Sequence, residues 1–182
     1  MGETLVISEE GNGIVRCVLS RPNKRNALNG QLVSDLLDFV TVVRGRKDLV
    51  CVMLTGGDSP DFCAGGDLAY LGKLSKSDAV DFSDRVYALC QGIESSPAIW
   101  CAMMSGRTLG GGAEFALACD RRFVHEDATL SFSQLKMGLP SGWGGFARLS
   151  KQMGYGQALS MVLEAQVLDA KTQVRTGLSH AV

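Results

Sequence analysis

Two glycine-rich loops carry the strongest chemical signal in the sequence. Residues 62–68 read Phe-Cys-Ala-Gly-Gly-Asp-Leu, and residues 110–114 read Gly-Gly-Gly-Ala-Glu. Each loop follows an apolar strand and enters a helix, whose first backbone N–H groups have no partner and carry partial positive charge. Glycine lets a ligand approach that backbone closely. One such loop is more often a packing device, but two that face each other would hold an oxygen anion between two amides.

Glu114 lies one helical turn beyond Gly111, and residues three positions apart share a helix face. Its carboxylate is therefore expected to point toward the same oxygen pocket. Glu114 is the only polar residue in the run Ala-Glu-Phe-Ala-Leu-Ala, and a lone carboxylate in such a stretch is costly unless it is paired or used. The alternative is that Glu114 only caps its helix or complements the helix dipole.

The elements that must position these loops alternate along the chain. Four apolar runs have strand length: residues 5–7, 14–19, 50–55 and 98–104. Two helices are predicted from apolar residues at helical spacing: one capped by Asn29 and one over residues 77–95. Shorter strands follow at 122–125 and 129–132, with helices at 144–153, at 156–165 and after Asp169. This order predicts a single α/β domain with right-handed crossovers.

The overall composition limits the classes of function. The chain has 182 residues, 46% of them hydrophobic and 20% charged, with a net charge of −1. A nucleic-acid-binding protein that relied on bulk charge would be basic, and no apolar run approaches the ~18–20 residues that span a bilayer. We therefore expect no nucleic-acid and no membrane partner. Six cysteines without a CxxC pair and only two histidines favour buried thiols, no metal site and a reducing, cytoplasmic location.

Five ordered motifs resemble the crotonase (enoyl-CoA hydratase/isomerase) superfamily. They are the two glycine loops, Arg-Pro-Asn-Lys-Arg-Asn-Ala-Leu at 21–28, Ala-Cys-Asp-Arg-Arg at 118–122, and Lys-Met-Gly-Leu-Pro with Gly-Gly and Arg-Leu within 136–149. The resemblance covers nearly the whole chain. It implies the crotonase-like (ClpP/crotonase) α/β spiral of β-β-α units, assembled as a homotrimer or dimer of trimers. It also implies an acyl-CoA thioester whose enolate is stabilised; coenzyme A is then part of the substrate, and no other cofactor is implied.

The same resemblance gives each candidate site residue an expected role. The backbone N–H groups of Gly66 and Gly111 would form the oxyanion hole, and Glu114 takes the place of the family's first catalytic glutamate. Four residues would line the loop against coenzyme A: Ala64, Gly65, Asp67 and Leu68. Three more lie where the family approaches the CoA phosphates and adenine: Lys24, Arg25 and Ala27. The alternative for this cation cluster is a solvated loop.

Gln134 stands where a family hydratase has its second glutamate. Syn hydration uses two carboxylates to hold and activate one water, and a glutamine orients water without taking its proton. Family isomerases generally depend on that glutamate too. Family decarboxylases of methylmalonyl- and ethylmalonyl-CoA also lack it, and the latter is similar through Met-Gly, Pro-Ser and Trp-Gly-Gly within 137–145. Loss of CO2 forms the enolate without removal of an α-proton, and a second carboxylate would repel the departing one.

The leading interpretation is an acyl-CoA lyase that decarboxylates a short malonyl-type thioester, with Glu114 assisting protonation. Trp143 is expected either to form an apolar wall around the substrate carboxylate or to be a core residue. One alternative is an enoyl-CoA hydratase/isomerase in which Gln134 or another residue takes the second role. The other is a non-catalytic acyl-CoA-binding or assembly subunit.

The last residues resemble the point at which family members enter a final strand and then C-terminal helices. Residues 1–182 are therefore expected to be one acyl-CoA-binding domain in which that helical region is absent. Apolar surface near residues 140–180 would then be exposed. Because those helices usually complete the acyl pocket and build the trimer, neither the acyl group nor the oligomeric state follows from the sequence.

Overall fold

The computed structural model describes residues 4–181. Within that range the chain forms nine β-strands and seven α-helices. The strands are β1 (Leu5–Gly11), β2 (Ile14–Leu19), β3 (Cys51–Thr55), β4 (Asp61–Cys63), β5 (Ile99–Met104), β6 (Arg107–Leu109), β7 (Arg121–Val124), β8 (Thr129–Ser131) and β9 (Leu168–Asp169). The helices are α1 (Gly30–Gly45), α2 (Leu68–Leu71), α3 (Lys76–Glu94), α4 (Gly111–Ala116), α5 (Gly145–Met153), α6 (Tyr155–Glu164) and α7 (Ala170–Arg175).

The strands form two sheets that share a repeated unit. The larger sheet has the order β1-β2-β3-β5-β7, with β1 antiparallel to β2 and the other pairs parallel. The smaller sheet has the order β4-β6-β8-β9, parallel up to β8. The pairs β3/β4, β5/β6 and β7/β8 each place one strand in either sheet, and a helical segment follows each pair. The predicted α/β spiral of β-β-α units is therefore confirmed.

Short polar side chains cap the N-termini of helices α1, α3 and α7. The Asn29 side chain accepts a hydrogen bond from the Leu32 N–H at 3.0 Å, and the Asp169 side chain accepts one from Thr172 at 2.8 Å. Ser75 caps α3 in the same way. Such caps stabilise a helix by about 1 kcal/mol. The caps predicted at Asn29 and Asp169 are thus confirmed.

Large aromatic side chains fill the core beneath the larger sheet. Trp100 of β5 is fully buried and meets Phe39 of α1 edge-on, with ring centroids 5.8 Å apart. Helices α1 and α3 approach closely, because a Cβ at Gly92 would lie only 3.0 Å from a methyl group of Val40. This packing fixes the larger sheet, whose strands β3 and β5 lead along the chain into β4 and β6.

Some local features differ from the expectations. Strands β4 and β6 and helix α2 have three or four residues each, too few for a periodic pattern to reveal them. Cys51 and Cys101, expected to be buried thiols, are only half-buried, with their sulfur atoms 3.8 Å apart. The expected apolar surface is present at Tyr155, Leu163 and Val167, which are exposed. None of the helices in residues 4–181 has the length and apolarity that crossing a bilayer requires.

Candidate active site

The two glycine loops meet because the strands before them are neighbours. Strands β4 and β6 pair in parallel, so the loops that follow them leave the same edge of the smaller sheet. A Cβ at Gly65 would lie 2.9 Å from the carbonyl oxygen of Leu109 and 3.0 Å from the amide nitrogen of Gly111. Gly65 also has a φ of +90°, which favours glycine. The close contact predicted for these loops is present.

The amides of Gly66 and Gly111 lie outside the hydrogen bonds that hold the loops. Leu28 bridges the first loop through the carbonyl of Gly65 and the N–H of Asp67, at 2.7 and 2.8 Å, and passes over Gly66. Gly111 is the first residue of α4, where a helical N–H has no partner within the helix. Both glycines are half-buried, so a ligand can reach their backbone.

The indole of Trp143 lies against both glycines. A Cβ at Gly66 would come within 3.5 Å of its six-membered ring, and one at Gly111 would overlap that ring. The indole also meets Phe82 of α3 edge-on, with ring centroids 6.2 Å apart and planes at 71°. The Cα atoms of Gly66 and Gly111 therefore face the same indole ring.

Glu114 is buried, with 1% of its surface exposed, and four donors hold its carboxylate. Oε2 accepts hydrogen bonds from the Ser141 hydroxyl at 2.7 Å, the Trp143 N–H at 2.9 Å and the Gly145 N–H at 2.8 Å. Oε1 accepts one from the Gln134 amide nitrogen at 2.6 Å. A carboxylate has about four lone-pair sites on its two oxygens. Oε2 is thus saturated, whereas Oε1 keeps room for another donor.

Gln134 lies beside Glu114, as its position in the sequence predicts. It is buried, and its own amide oxygen has no hydrogen-bond partner in the structure. A buried acceptor without a partner is costly unless water or a ligand satisfies it. The amide oxygen of Gln134 and Oε1 of Glu114 together offer acceptors for one small donor.

The segment predicted to contact coenzyme A lies directly beside the first glycine loop. Ala64 donates its N–H to the carbonyl of Arg25 at 3.0 Å, and Ala27 is buried behind the loop. Lys24 is exposed and makes no ion pair within residues 4–181. Leu68 is 58% exposed at the start of α2. The structure therefore brings residues 24–27 beside residues 64–68. Lys24, Arg25 and Leu68 are exposed on this face, whereas Ala27, Gly65 and Asp67 are buried.

Two buried aspartates fix this face. Burial disfavours the charged form of Asp61, but hydrogen bonds from Arg107 and Arg25 outweigh it and hold the pKa of the carboxyl below its usual value. Asp67 behaves likewise: burial opposes ionisation, and the hydrogen bond from Arg21 at 2.9 Å lowers its pKa. Asp67, predicted to contact coenzyme A, thus also caps α2 and binds Arg21.

The sequence did not single out several residues that build the site. Ser141 and Gly145 hold Glu114, Arg21 binds Asp67, and Asp61 binds Arg25. A Cβ at Gly145 would overlap the Glu114 side chain. The signal was present in the dense glycines around Trp143, but only the fold shows that they wrap around a carboxylate. Cys63, next to the first loop, is fully buried, and burial raises the pKa of its thiol to about 12.

Comparisons with known proteins agree on one family. Residues 9–182 match the family described as enoyl-CoA hydratase/isomerase. The chain is 31% identical to crotonyl-CoA hydratase of Syntrophomonas wolfei over 97% of its own length and 68% of the relative's. It is 32% identical to human mitochondrial methylglutaconyl-CoA hydratase over 97% of its own length, but spans only 52% of that protein. These names favour the hydratase alternative over the decarboxylase interpretation.

Solved structures agree with the fold. An enoyl-CoA hydratase from Bacillus anthracis superposes with a TM-score of 0.95 at 26% identity, over 98% of this chain and 69% of that one. An enoyl-CoA hydratase from Thermoplasma volcanium superposes with a TM-score of 0.92 at 29% identity, over 100% of this chain and 72% of that one. The β-β-α spiral is therefore the fold of known acyl-CoA enzymes.

Proposed function

The chain belongs to the enoyl-CoA hydratase/isomerase family, and we propose on that premise that it binds an acyl-CoA thioester and holds the thioester oxygen between the amides of Gly66 and Gly111. The observation that carries the proposal is that both glycines face the ring of Trp143, whose backbone N–H binds the buried carboxylate of Glu114. Amide donors aimed at a developing oxyanion are each worth about 10²–10³ in rate.

The coenzyme A moiety is proposed to lie along the face formed by residues 24–27 and 64–68. The exposed ammonium of Lys24 and the partly exposed guanidinium of Arg25 supply positive charge there. Phosphate groups are favoured beside such cations. The proposal is supported by the direct pairing of Arg25 and Leu28 with the first glycine loop.

Hydration of a short 2-enoyl-CoA is the first candidate reaction. The relatives named as hydratases support it. A water that donates to the free acceptor site of Glu114 Oε1 and to the amide oxygen of Gln134 would be held by both residues. Glu114 is then the one group able to exchange a proton, because Gln134 only orients the water. Addition places the hydroxyl on the β-carbon and the proton on the α-carbon.

Decarboxylation of a malonyl-type thioester is the second candidate. The specific observation in its favour is that Gln134, a neutral amide, faces Glu114 where a second carboxylate would repel the substrate's own. Cleavage of the bond to the carboxylate leaves its electron pair on the α-carbon as the enolate, and a proton is then added to that carbon. This reaction needs no base to remove an α-proton.

The two candidates are tested by assaying hydration of crotonyl-CoA and CO2 release from ethylmalonyl-CoA with the same protein. Under the hydratase proposal, crotonyl-CoA is hydrated, and Gln134→Glu raises that rate because a second proton-exchanging group is added. Under the decarboxylase proposal, CO2 is released, and Gln134→Glu lowers the rate by repulsion. Gln91→Glu, the same change on the exposed face of α3, is the control. Thioester binding in calorimetry with neither product formed would contradict both reactions.

A further inference from the structure

An aromatic ring lies against the two glycines whose amides are the candidate oxyanion hole. A thioester oxygen held by Gly66 and Gly111 places the carbonyl carbon, and the α-carbon attached to it, beside these glycines. The indole of Trp143 lies against the Cα atoms of both. The side chain is buried, with 9% of its surface exposed. An acyl chain attached to that carbonyl carbon would therefore meet the Trp143 ring within its first few carbons.

The backbone of Trp143 is held at both of its polar groups. Its N–H donates to Glu114 Oε2 at 2.9 Å, and its carbonyl accepts a hydrogen bond from the Arg148 guanidinium at 2.6 Å. Arg148 is itself fixed by Glu94 of α3 at 2.8 Å. The ring packs edge-on against Phe82, which in turn meets Tyr70 edge-on. The ring is thus tied to α2, α3 and α4 together.

The path of the loop on both sides of Trp143 is also restricted. Gly144 has a φ of +81°, a conformation that side chains other than glycine rarely adopt, and a Cβ there would lie 2.9 Å from the ring of Tyr87. Ser141, two residues before Trp143, donates to Glu114 and accepts a hydrogen bond from the Phe146 N–H at 2.9 Å. A loop held at this many points keeps its aromatic side chain in place.

We propose that Trp143 sets the upper size of the acyl group, so that the site takes short acyl-CoA thioesters and rejects long-chain ones. The inference rests on the proposed function, because it needs a thioester bound at Gly66 and Gly111. It goes beyond that function by assigning the size limit to one side chain. Glu114 Oε2 and Arg148 act as positioning groups for this wall, since they bind the Trp143 backbone.

The test measures binding and turnover over a series of straight-chain acyl-CoA and 2-enoyl-CoA thioesters of increasing length, beginning with butyryl-CoA and crotonyl-CoA. The unaltered protein should bind the shortest thioesters best. Trp143→Ala should reverse this order, because each methylene that enters the opened space tightens binding by about fourfold, the equivalent of ~0.8 kcal/mol. Trp143→Phe, which keeps a ring of smaller size, should give an intermediate limit. In turnover assays of Trp143→Ala, the reversed preference for chain length should appear mainly as a change in KM for the 2-enoyl-CoA substrates.

Tyr155→Ala is the matched control, since it removes an aromatic ring that is 65% exposed and packs on Phe146 instead of the glycines. It should leave the order of chain lengths unchanged. The inference is overturned if Trp143→Phe, folded as judged by its unfolding transition, keeps the chain-length order of the unaltered protein. It is equally overturned if the unaltered protein binds long-chain and short-chain thioesters with the same affinity. Failure of every thioester to bind would instead remove the proposed function, and the size limit with it.

Discussion

Replacing Glu114 by glutamine and by alanine separates two tasks that the structure assigns to one carboxylate. Oε2 holds the loop of Ser141, Trp143 and Gly145, whereas Oε1 faces Gln134 and has room for a water. In Glu114→Gln, the new amide oxygen keeps the three bonds made by Oε2. The new amide nitrogen takes the place of Oε1, and Gln134 turns its amide so that its unpartnered oxygen accepts that nitrogen's proton. The variant therefore keeps the loop and loses the proton-exchanging group.

The expected magnitudes follow from this count of hydrogen bonds. Glu114→Gln exchanges charge-assisted hydrogen bonds for neutral ones, and the turned Gln134 amide leaves its NH2 instead of its oxygen without a partner. The free energy of unfolding should therefore fall by about 1–2 kcal/mol. Glu114→Ala leaves the donors of Ser141, Trp143 and Gly145 without an acceptor, at about 1–3 kcal/mol each before water enters the cavity. We expect a net loss of about 3–5 kcal/mol. Hydration of crotonyl-CoA should fall by about 10²–10⁴ in both variants.

The assay is urea unfolding at neutral pH beside the initial rate of crotonyl-CoA hydration for all three proteins. Asp38→Asn, on the surface of α1, controls for the loss of one negative charge. Equal destabilisation by the glutamine and alanine variants would refute the role of Oε2 in holding the loop. Hydration within tenfold of the unaltered rate in Glu114→Gln would refute the role of Oε1 in proton exchange.

Three further outcomes are expected. Gly112→Ala should prevent stable folding, because its Cβ would overlap the carbonyl of Cys63. In the control variant Gly156→Ala the new Cβ meets open space, so the unfolding temperature should rise or stay the same. Equal unfolding temperatures in the two variants would contradict the close packing of α4 on β4. Asp61 has a lowered pKa, so its stabilisation is complete above the ordinary aspartate pKa of about 4 and is lost as pH falls below that value. In Asp61→Asn the free energy of unfolding should therefore depend less on pH in this acid range. An unchanged pH dependence would count against the ion pairs of Asp61. Lys24→Ala should raise KM for CoA thioesters, and more so at low salt, with kcat little changed. If KM is independent of salt in both the unaltered protein and this variant, the CoA phosphates lie elsewhere.

Much of the fold is predictable because its signals are local. The turn residues Gly11-Asn12-Gly13 lie between two β-rich runs and indicate the β1–β2 hairpin. Asn29 begins α1 because its side chain accepts a hydrogen bond from the Leu32 N–H. Apolar spacing along residues 77–95 predicts α3 to within a residue at each end. Each of these elements is determined by residues within a few positions of one another, which is the range over which capping and periodicity act.

The construction of the site is not predictable in the same way because it depends on contacts across the chain. Glu114 and Ser141 are 27 positions apart, and Arg21 and Asp67 are 46 apart. Burial of Glu114 beside apolar residues predicts that it has partners, but not which ones. Trp143 was an open choice between wall and core, and the structure places it against both glycines. Only the fold could show that a side chain buried in the core also contacts both glycine loops.

The convergence of the two glycine loops is a consequence of the repeat itself. Each β-β-α unit sends its second strand into the smaller sheet, and β4 and β6 run parallel as neighbours there. Parallel neighbours end at the same edge of a sheet, so the chain that leaves β4 and the chain that leaves β6 must start side by side. Gly110, with a φ of +53°, turns the second chain directly into α4. The position of the Gly111 amide is therefore set by strand pairing and one glycine turn, and a Gly110→Ala variant should lose turnover through a displaced amide even where thioester binding at the Lys24 face persists. Turnover unchanged in that variant would mean that this turn does not position the amide.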